Sequence, residues 1–313
     1  MKVITLIPIK NEDWILENTL KNISSFSDYI IVADQSSTDR TLEICKKFEK
    51  VRVIHNPYTG PSNMIRWLLF DEARKIEGNN LIFCIDADEM ISPKSIHAIQ
   101  DIIEKKGLKP GVGFSFSWIQ LWHSTEFHRV DGVWKDSKKA VAFWDDRKID
   151  YVRERLIIDH TSRIPEVSEA FFVEDYPLLH LQSISEDRYK IKQIWYRCYE
   201  LINNKNNPKK INARYSVADK KTVTLDKIRS TWFDGITIVP YAYDKRNDWH
   251  YKEIVEWFDA YGITFFEPLE IWHMKELHDI FIQKVGREPK PKVFPKILIQ
   301  LNAIKNKVKN SFS

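Results

Sequence analysis

The chain has 313 residues, 43% of them hydrophobic and 29% charged, with 48 Lys+Arg against 44 Asp+Glu for a formal net charge of +4. These ordinary globular values set aside a disordered chain, a collagen-like repeat and a coiled coil, and so mild a charge gives no reason to expect a nucleic-acid partner. The three cysteines, Cys45, Cys84 and Cys198, lie far apart with no CxxC pair, so neither a zinc knuckle nor a disulfide framework is expected and a reducing cytosol is the simplest compartment.

The first hundred residues alternate short apolar runs with helical patterns, the signature of a mostly parallel sheet covered by helices. Runs 3–9, 29–33 and 81–85 are almost continuously apolar, as strands buried on both faces are, and 51–55 is a fourth strand. Residues 1–8 run straight into Lys10-Asn11-Glu12 with no small-residue cleavage site, so they read as a strand and not as a signal peptide. Ser36-Ser37-Thr38-Asp39 starts a helix over 40–48, and Ser92-Pro93 supplies an N-cap and a first-turn proline for a helix ending near Gly107. From 111 to 175 the pattern breaks into short, aromatic-rich strand-like pieces that include Trp118, Trp122, Trp134, Phe143 and Trp144. A helix over 185–201 carries Tyr189, Ile191, Ile194, Trp195, Cys198 and Leu201 as its apolar stripe, and the polar loop at 203–210 divides the chain into domains 1–202 and 203–313. Helices over 249–261 and 270–284 close at Gly262 and Gly286. The segment 289–313 has six lysines, no acidic residue and apolar side chains between them. Such a basic amphipathic tail either lies on an anionic membrane surface or docks its apolar side on the protein. No run of residues is long and apolar enough to span a bilayer.

In an open parallel sheet, ligands bind beyond the carboxyl ends of the strands. The first strand delivers Pro8-Ile9-Lys10-Asn11-Glu12, the second Asp34 and the third Asp86-Ala87-Asp88-Glu89. One strand-end Asp is commonly a turn cap, and Asp34 before Ser36-Ser37 fits that reading, but three polar ends together make a candidate site. Asp86 and Asp88 point to the same side of an extended backbone, where both can serve one hard divalent cation that offsets charge on a leaving diphosphate. Only nine glycines occur in the chain and none in residues 10–13, so a Gly-rich phosphate cradle is not expected.

Three blocks, Ile4-Thr5-Leu6-Ile7-Pro8-Ile9-Lys10-Asn11-Glu12, Ile31-Val32-Ala33-Asp34-Gln35-Ser36-Ser37-Thr38-Asp39 and Ile85-Asp86-Ala87-Asp88, resemble in order and spacing the family 2 glycosyltransferases of the GT-A fold. The resemblance covers about the first hundred residues and loosens toward residue 200. It implies an α/β, Rossmann-like sheet and inverting transfer from a nucleotide sugar, a UDP-sugar first, with Mn2+ or Mg2+ as cofactor. The acceptor it implies is a glycan, a lipid-linked sugar or a protein, in polysaccharide or other cell-surface glycan assembly; the cysteine usage places the enzyme in the cytoplasm, and the basic tail, where it lies on a membrane, at the membrane's inner face. It places Pro8, Asn11, Glu12 and Asp34 against base and ribose, Asp86 with Ala87 on the ribose or metal side, and Asp88 on the metal. Arg66 matches a nucleotide or phosphate contact, with a plain surface arginine as the alternative. His180 matches a ligand completing the metal shell, with Arg188, Lys190 and Lys192 behind it for phosphates, although a lone His is more often structural.

Inverting transfer needs a carboxylate base. Asp145, Asp146, Glu154, Asp159 and Glu166 are candidates; Asp159 is preferred and Asp146 stands second. A sugar-nucleotide nucleotidyltransferase lacks its Gly-rich loop here, and a non-catalytic sugar-nucleotide or glycan-binding protein would not need both Asp86 and Asp88. Trp195, Trp257 and Trp272 stand at helical spacing and belong to a core. Trp118, Trp122, Trp134 and Trp144 fall where an acceptor would bind, to stack on sugar rings or to pack the loops, with packing favoured.

Overall fold

The computed structural model describes residues 1–58, 64–153, 163–203, 207–216, 223–239, 243 and 247–292. Strands β1 (Val3–Ile9), β2 (Tyr29–Asp34), β3 (Val51–His55) and β4 (Leu81–Cys84) are parallel and lie in the order β3-β2-β1-β4. The sheet continues through β8 (Lys138–Trp144), β6 (Gly113–Gln120), β9 (Ala170–His180) and β5 (Glu89–Ile91). Here β8 runs antiparallel to β4 and to β6, β9 returns parallel to β6, and β5 is antiparallel to β9. The α/β class is as expected, with the parallel character concentrated in the first four strands.

The continuous apolar run of β1 is explained by the layers on either side of it. Val3, Ile7 and Ile9 face a core with Leu16, Leu20 and Ile23 of α1 (Leu16–Ser24) and Ile96 and Ile99 of α4 (Ser95–Lys106). Ile4 and Leu6 face the opposite core, with Leu69, Phe70 and Ala73 of α3 (Met64–Ala73). The helix expected over 40–48 is the short α2 (Thr41–Cys45). The Ser92 hydroxyl accepts the Lys94 N–H at 3.3 Å, as a cap would, and donates to the Asp234 carbonyl at 2.7 Å, while α4 itself begins at Ser95.

The contacts divide the chain into two units, one of Met1–Ser185 with Thr224–Ala242, the other of Glu186–Val223 with Tyr243–Ser313. The returning segment belongs to the first unit for visible reasons. It pairs β10 (Leu225–Lys227) with β7 (Phe127–Arg129), buries Ile236 among Trp14, Met90, Leu121 and Leu179, and ties the Val239 backbone to both ends of the Asn18 amide at 2.9 and 3.0 Å. In the second unit, Ile194, Trp195 and Cys198 of α5 (Glu186–Asn203) pack with Ile211 of α6 (Pro208–Tyr215), Phe258 of α7 (Trp249–Tyr261) and Phe281 of α8 (Lys275–Val285). The helix expected from 270 starts at Lys275, because the Asn212 side chain accepts the Glu270 N–H at 2.9 Å and holds the preceding residues in turns. Trp195 and Trp272 are core, as their spacing implied. No helix among the described residues is long and apolar enough to cross a membrane, and 293–313 of the tail lie outside them.

Candidate active site

The strand order turns at β1, whose neighbours are β2 on one side and β4 on the other, and ligands in such sheets bind beyond the strand ends at that crevice. Register sets Pro8 beside Ala33 and Leu6 beside Cys84, so the three predicted strand ends sit at one edge of the sheet. At the end of β1, Asn11 takes a left-handed φ of 52°. Its N–H donates to the Ser37 hydroxyl at 2.8 Å and its side-chain oxygen accepts from the Thr38 N–H at 2.7 Å. Glu12 accepts from the Trp14 indole at 2.6 Å. Asp34 accepts from the Ser37 N–H at 3.2 and 3.3 Å, so it caps the loop in addition to standing at the site.

Beyond β4 the chain builds a network that sequence reading half anticipated. Arg66 is buried, and its guanidinium meets Asp86 at 2.5 Å and the Ile85 carbonyl at 3.4 Å, so it is not a plain surface arginine. Arg163 reaches the other Asp86 oxygen at 2.7 Å and also pairs with Glu89. Glu89 is fully buried, accepts from the Trp118 indole and from the Asp86 backbone N–H, each at 2.9 Å, and so ties three segments together. Burial would raise the pKa of Asp86, but Arg163 and Arg66 more than offset this and hold it below the usual carboxylate range. Burial works against the charged form of Arg163 too, yet Asp86 and Glu89 drive its pKa upward. Neither Glu89 nor Arg163 was singled out by sequence; the acid at 89, one residue past Asp88, was the available signal.

Asp88 and His180 come together across the sheet. Leu181 N–H donates to the Asp88 carbonyl at 2.8 Å, and the His180 Nε2 lies 3.5 Å from Asp88 Oδ1. Gln120 Oε1 holds the other ring nitrogen, Nδ1, at 2.6 Å, and the Trp118 ring stacks on the imidazole at 4.6 Å. The Ala87 carbonyl accepts from Thr19 at 2.5 Å, which fixes the backbone between the two aspartates. Among the described residues no group of three or more His, Cys, Asp and Glu is arranged as a metal-holding cluster.

The proposed bases fare differently. Asp159 lies outside the described residues, as does Glu154. Asp146 needs correction: β8 runs antiparallel to β4 with Trp144 opposite Leu81, so residue 146 emerges at the end of β4 remote from Asp86. Its carboxylate accepts the Lys148 and Ile149 N–H groups at 2.8 and 2.9 Å and serves its own turn. Asp145 is fully buried against Arg74 at 2.9 Å, and Glu166 is exposed. Arg188 and Lys192 belong to the second unit, on α5, where Arg188 is buried. Of the four tryptophans, Trp144 packs on the main core and Trp122 is buried, whereas Trp118 and Trp134 line a cavity.

With this geometry in view, comparison with known proteins gives a consistent sequence result. Residues 5–144 match the family described as Glycosyl transferase family 2. No curated protein is similar enough to count as a relative. Among solved structures, S. aureus TarS is 13% identical with a TM-score of 0.42, over 68% of this chain and 42% of that one. TarS 1–349 in complex with UDP is 15% identical with a TM-score of 0.38, over 70% of each chain. Glucosyl-3-phosphoglycerate synthase from Mycobacterium tuberculosis, in complex with Mn2+, UDP-glucose and phosphoglyceric acid, is 20% identical with a TM-score of 0.29, over 36% of this chain and 43% of that one. The chain thus spans less than half the length of the TarS chain and of the synthase that it matches.

Proposed function

We propose, from the premise that residues 5–144 are a family 2 glycosyltransferase domain of the GT-A type, that the protein moves a sugar from a nucleoside-diphosphate donor, a UDP-sugar first, to a hydroxyl of a glycan acceptor with inversion. The carrying observation is the strand-end network in which Arg66 and Arg163 both grip Asp86 beside Asp88 and His180. When the acceptor oxygen bonds to the anomeric carbon, the bond to the diphosphate breaks and negative charge grows on the leaving group. Arg66 and Arg163, both held in place before substrate arrives, offer fixed positive charge there. Lys139 adds to it; burial first, then Arg163, lower its pKa, while Glu89 and Asp86 pull the other way. The acceptor proton passes to a carboxylate, for which Asp159 remains our choice.

The donor set suits a divalent ion in part. A hard carboxylate and a borderline imidazole fit Mn2+ better than Mg2+, and 3.5 Å between Asp88 Oδ1 and His180 Nε2 is close to what two adjacent ligands at roughly 2.0–2.2 Å from one ion span. Such an ion, when bound, would stabilise the departing diphosphate. Asp86, already shared by two guanidinium groups, orients the network more than it ligates. We also keep as proposals the cytoplasmic setting and contact with an anionic membrane through 289–313.

The test is a melting and product-release screen with UDP-, GDP- and dTDP-sugars, with and without Mn2+. A rise in Tm and release of the nucleoside diphosphate with a UDP-sugar plus Mn2+ are expected. A chain that neither shifts with nor cleaves any of these donors is not this enzyme.

A further inference from the structure

His180 is held by more than its own strand. It lies directly opposite Gln120 in the parallel ladder between β6 and β9, and both side chains are buried. Trp118, two residues back on β6, points to the same side as Gln120. Its ring stacks on the imidazole with 26° between the planes, and its indole N–H is anchored on Glu89 at 2.9 Å. Backbone bonds fix the frame around them: the Leu121 N–H donates to the His180 carbonyl at 3.1 Å and the Leu181 N–H to the Asp88 carbonyl at 2.8 Å.

The surroundings of Gln120 settle which way its amide points. Its Nε2 lies 3.2 Å from the Leu121 carbonyl, 3.4 Å from the His180 carbonyl and 3.1 Å from the Ser183 hydroxyl. Carbonyls only accept, so the donating NH2 stands among them and Oε1 is the atom 2.6 Å from His180 Nδ1. An amide oxygen only accepts in its turn, so Nδ1 carries the hydrogen. In a neutral imidazole that leaves Nε2 as a bare lone pair. Turning the ring over would put a carbon against Oε1 and give up this bond, and the stacked Trp118 restricts other tilts. At 3.5 Å from Asp88 Oδ1, Nε2 lies beyond the roughly 2.7–3.2 Å of an N–H···O bond. A lone pair and a carboxylate oxygen therefore face each other, an arrangement that a cation stabilises.

We infer that Gln120 is a positioning residue: by accepting from Nδ1 it fixes the His180 tautomer and turns the hydrogen-free Nε2 toward Asp88, ready to ligate a divalent ion. The role toward the ion rests on the metal reading proposed above; the tautomer stands on the hydrogen bonds alone. Free histidine in water prefers its hydrogen on Nε2, the atom that has to be bare before it can ligate. A ring held as Nδ1–H needs no such proton shift, and its plane is set in advance by Trp118. Gln120 stands 60 residues from His180 in the chain, and only the β6–β9 ladder brings the two side by side.

The experiment has two readouts, neither of them turnover. Long-range proton–nitrogen NMR correlation spectra of the isotope-labelled, metal-free full chain show which ring nitrogen carries hydrogen, with the His180 signals identified by their loss in His180→Gln. Nδ1–H is expected in the wild type and in Gln120→Glu, which keeps an acceptor at Nδ1. Nε2–H or a mixture is expected in Gln120→Met, which removes the acceptor at similar length. Binding of Mn2+ alone, followed by the paramagnetic resonance signal of the free ion, should weaken about tenfold or more in Gln120→Met and stay within about threefold of wild type in Gln120→Glu. Circular dichroism checks that each variant folds. Nε2–H in the wild type overturns the inference even if no variant folds, and so does an unchanged Mn2+ affinity in a folded Gln120→Met. A wild type with Nδ1–H that binds no Mn2+ loses the metal reading and keeps the fixed tautomer; one with Nε2–H that still binds Mn2+ does the reverse.

Discussion

Glu89→Gln is the sharpest probe of the network around Asp86. Glu89 is fully buried; one oxygen accepts from Trp118 at 2.9 Å, the other from Arg163 and from the Asp86 N–H at 2.9 Å. In glutamine one of those oxygens becomes an NH2, so whichever way the amide turns, a donor faces a donor. Losing the charge assistance costs about 1–2 kcal/mol, and the unpaired buried group about 1–3 kcal/mol more. Removing one partner of a buried ion pair outright costs about 3–5 kcal/mol, and Arg163 keeps Asp86, so about 3 kcal/mol is the working figure. In a unit of about 200 residues each kcal/mol shifts melting by about 2–4 °C, which sets the expected fall at about 6–12 °C. Thermal unfolding followed by circular dichroism at neutral pH measures it. A cycle with Arg163→Met should return a coupling of about 1–2 kcal/mol. A Glu89→Gln chain melting within about 2 °C of wild type would refute the idea that Glu89 holds this network together.

Asp88→Ala should abolish Mn2+-dependent cleavage of the donor while the far-ultraviolet spectrum stays native; retained cleavage would remove Asp88 from the metal. In the second unit, burial holds the His250 pKa at about 4 against an ordinary 6.5, with Asp248 opposing. The unfolded chain therefore takes up that proton first, so the stabilisation is complete above about pH 6.5 and drains away as the pH falls toward 4, by up to about 3 kcal/mol. Urea midpoints of the wild type and His250→Gln across that window check it, and an equally steep decline in the variant would show that His250 is not the source. Gly235 has φ +74°, and a Cβ there would come within 2.9 Å of the Pro93 ring, so Gly235→Ala should lower the melting temperature by several degrees, about 1–2 kcal/mol; an unchanged midpoint would mean the loop gives way.

The elements legible in the sequence were those whose burial leaves a local pattern. β1, β2 and β4 are covered on both faces and read as unbroken apolar runs, and Asp34, Asp86 and Asp88 follow directly from where those runs stop. What escaped was long-range. Arg163 meets Glu89 across 74 residues of chain, and no spacing rule signals such a meeting. Asp146 was a candidate only because it is an acid in the stretch after the Asp86-Ala87-Asp88 segment, and the antiparallel β8 carries that position to the opposite end of the sheet. The return of 224–239 to the first unit depends on Asn18 and Ile236, single residues whose partners lie elsewhere in the chain.

The ladder between β6 and β9 contains a discontinuity whose meaning is evolutionary. Phe116 pairs with Val173 and Trp118 with Leu178, so one residue on β6 faces four on β9, and Glu174, Asp175, Tyr176 and Pro177 stand out of the ladder at the rim of the cavity. Regular pairing holds on both sides of the outcrop, with the register shifted by three residues across it, so its length and composition can drift without moving His180 or the strands behind it. Mutation can thus rewrite what the protein prefers to bind while inheriting the chemistry unchanged.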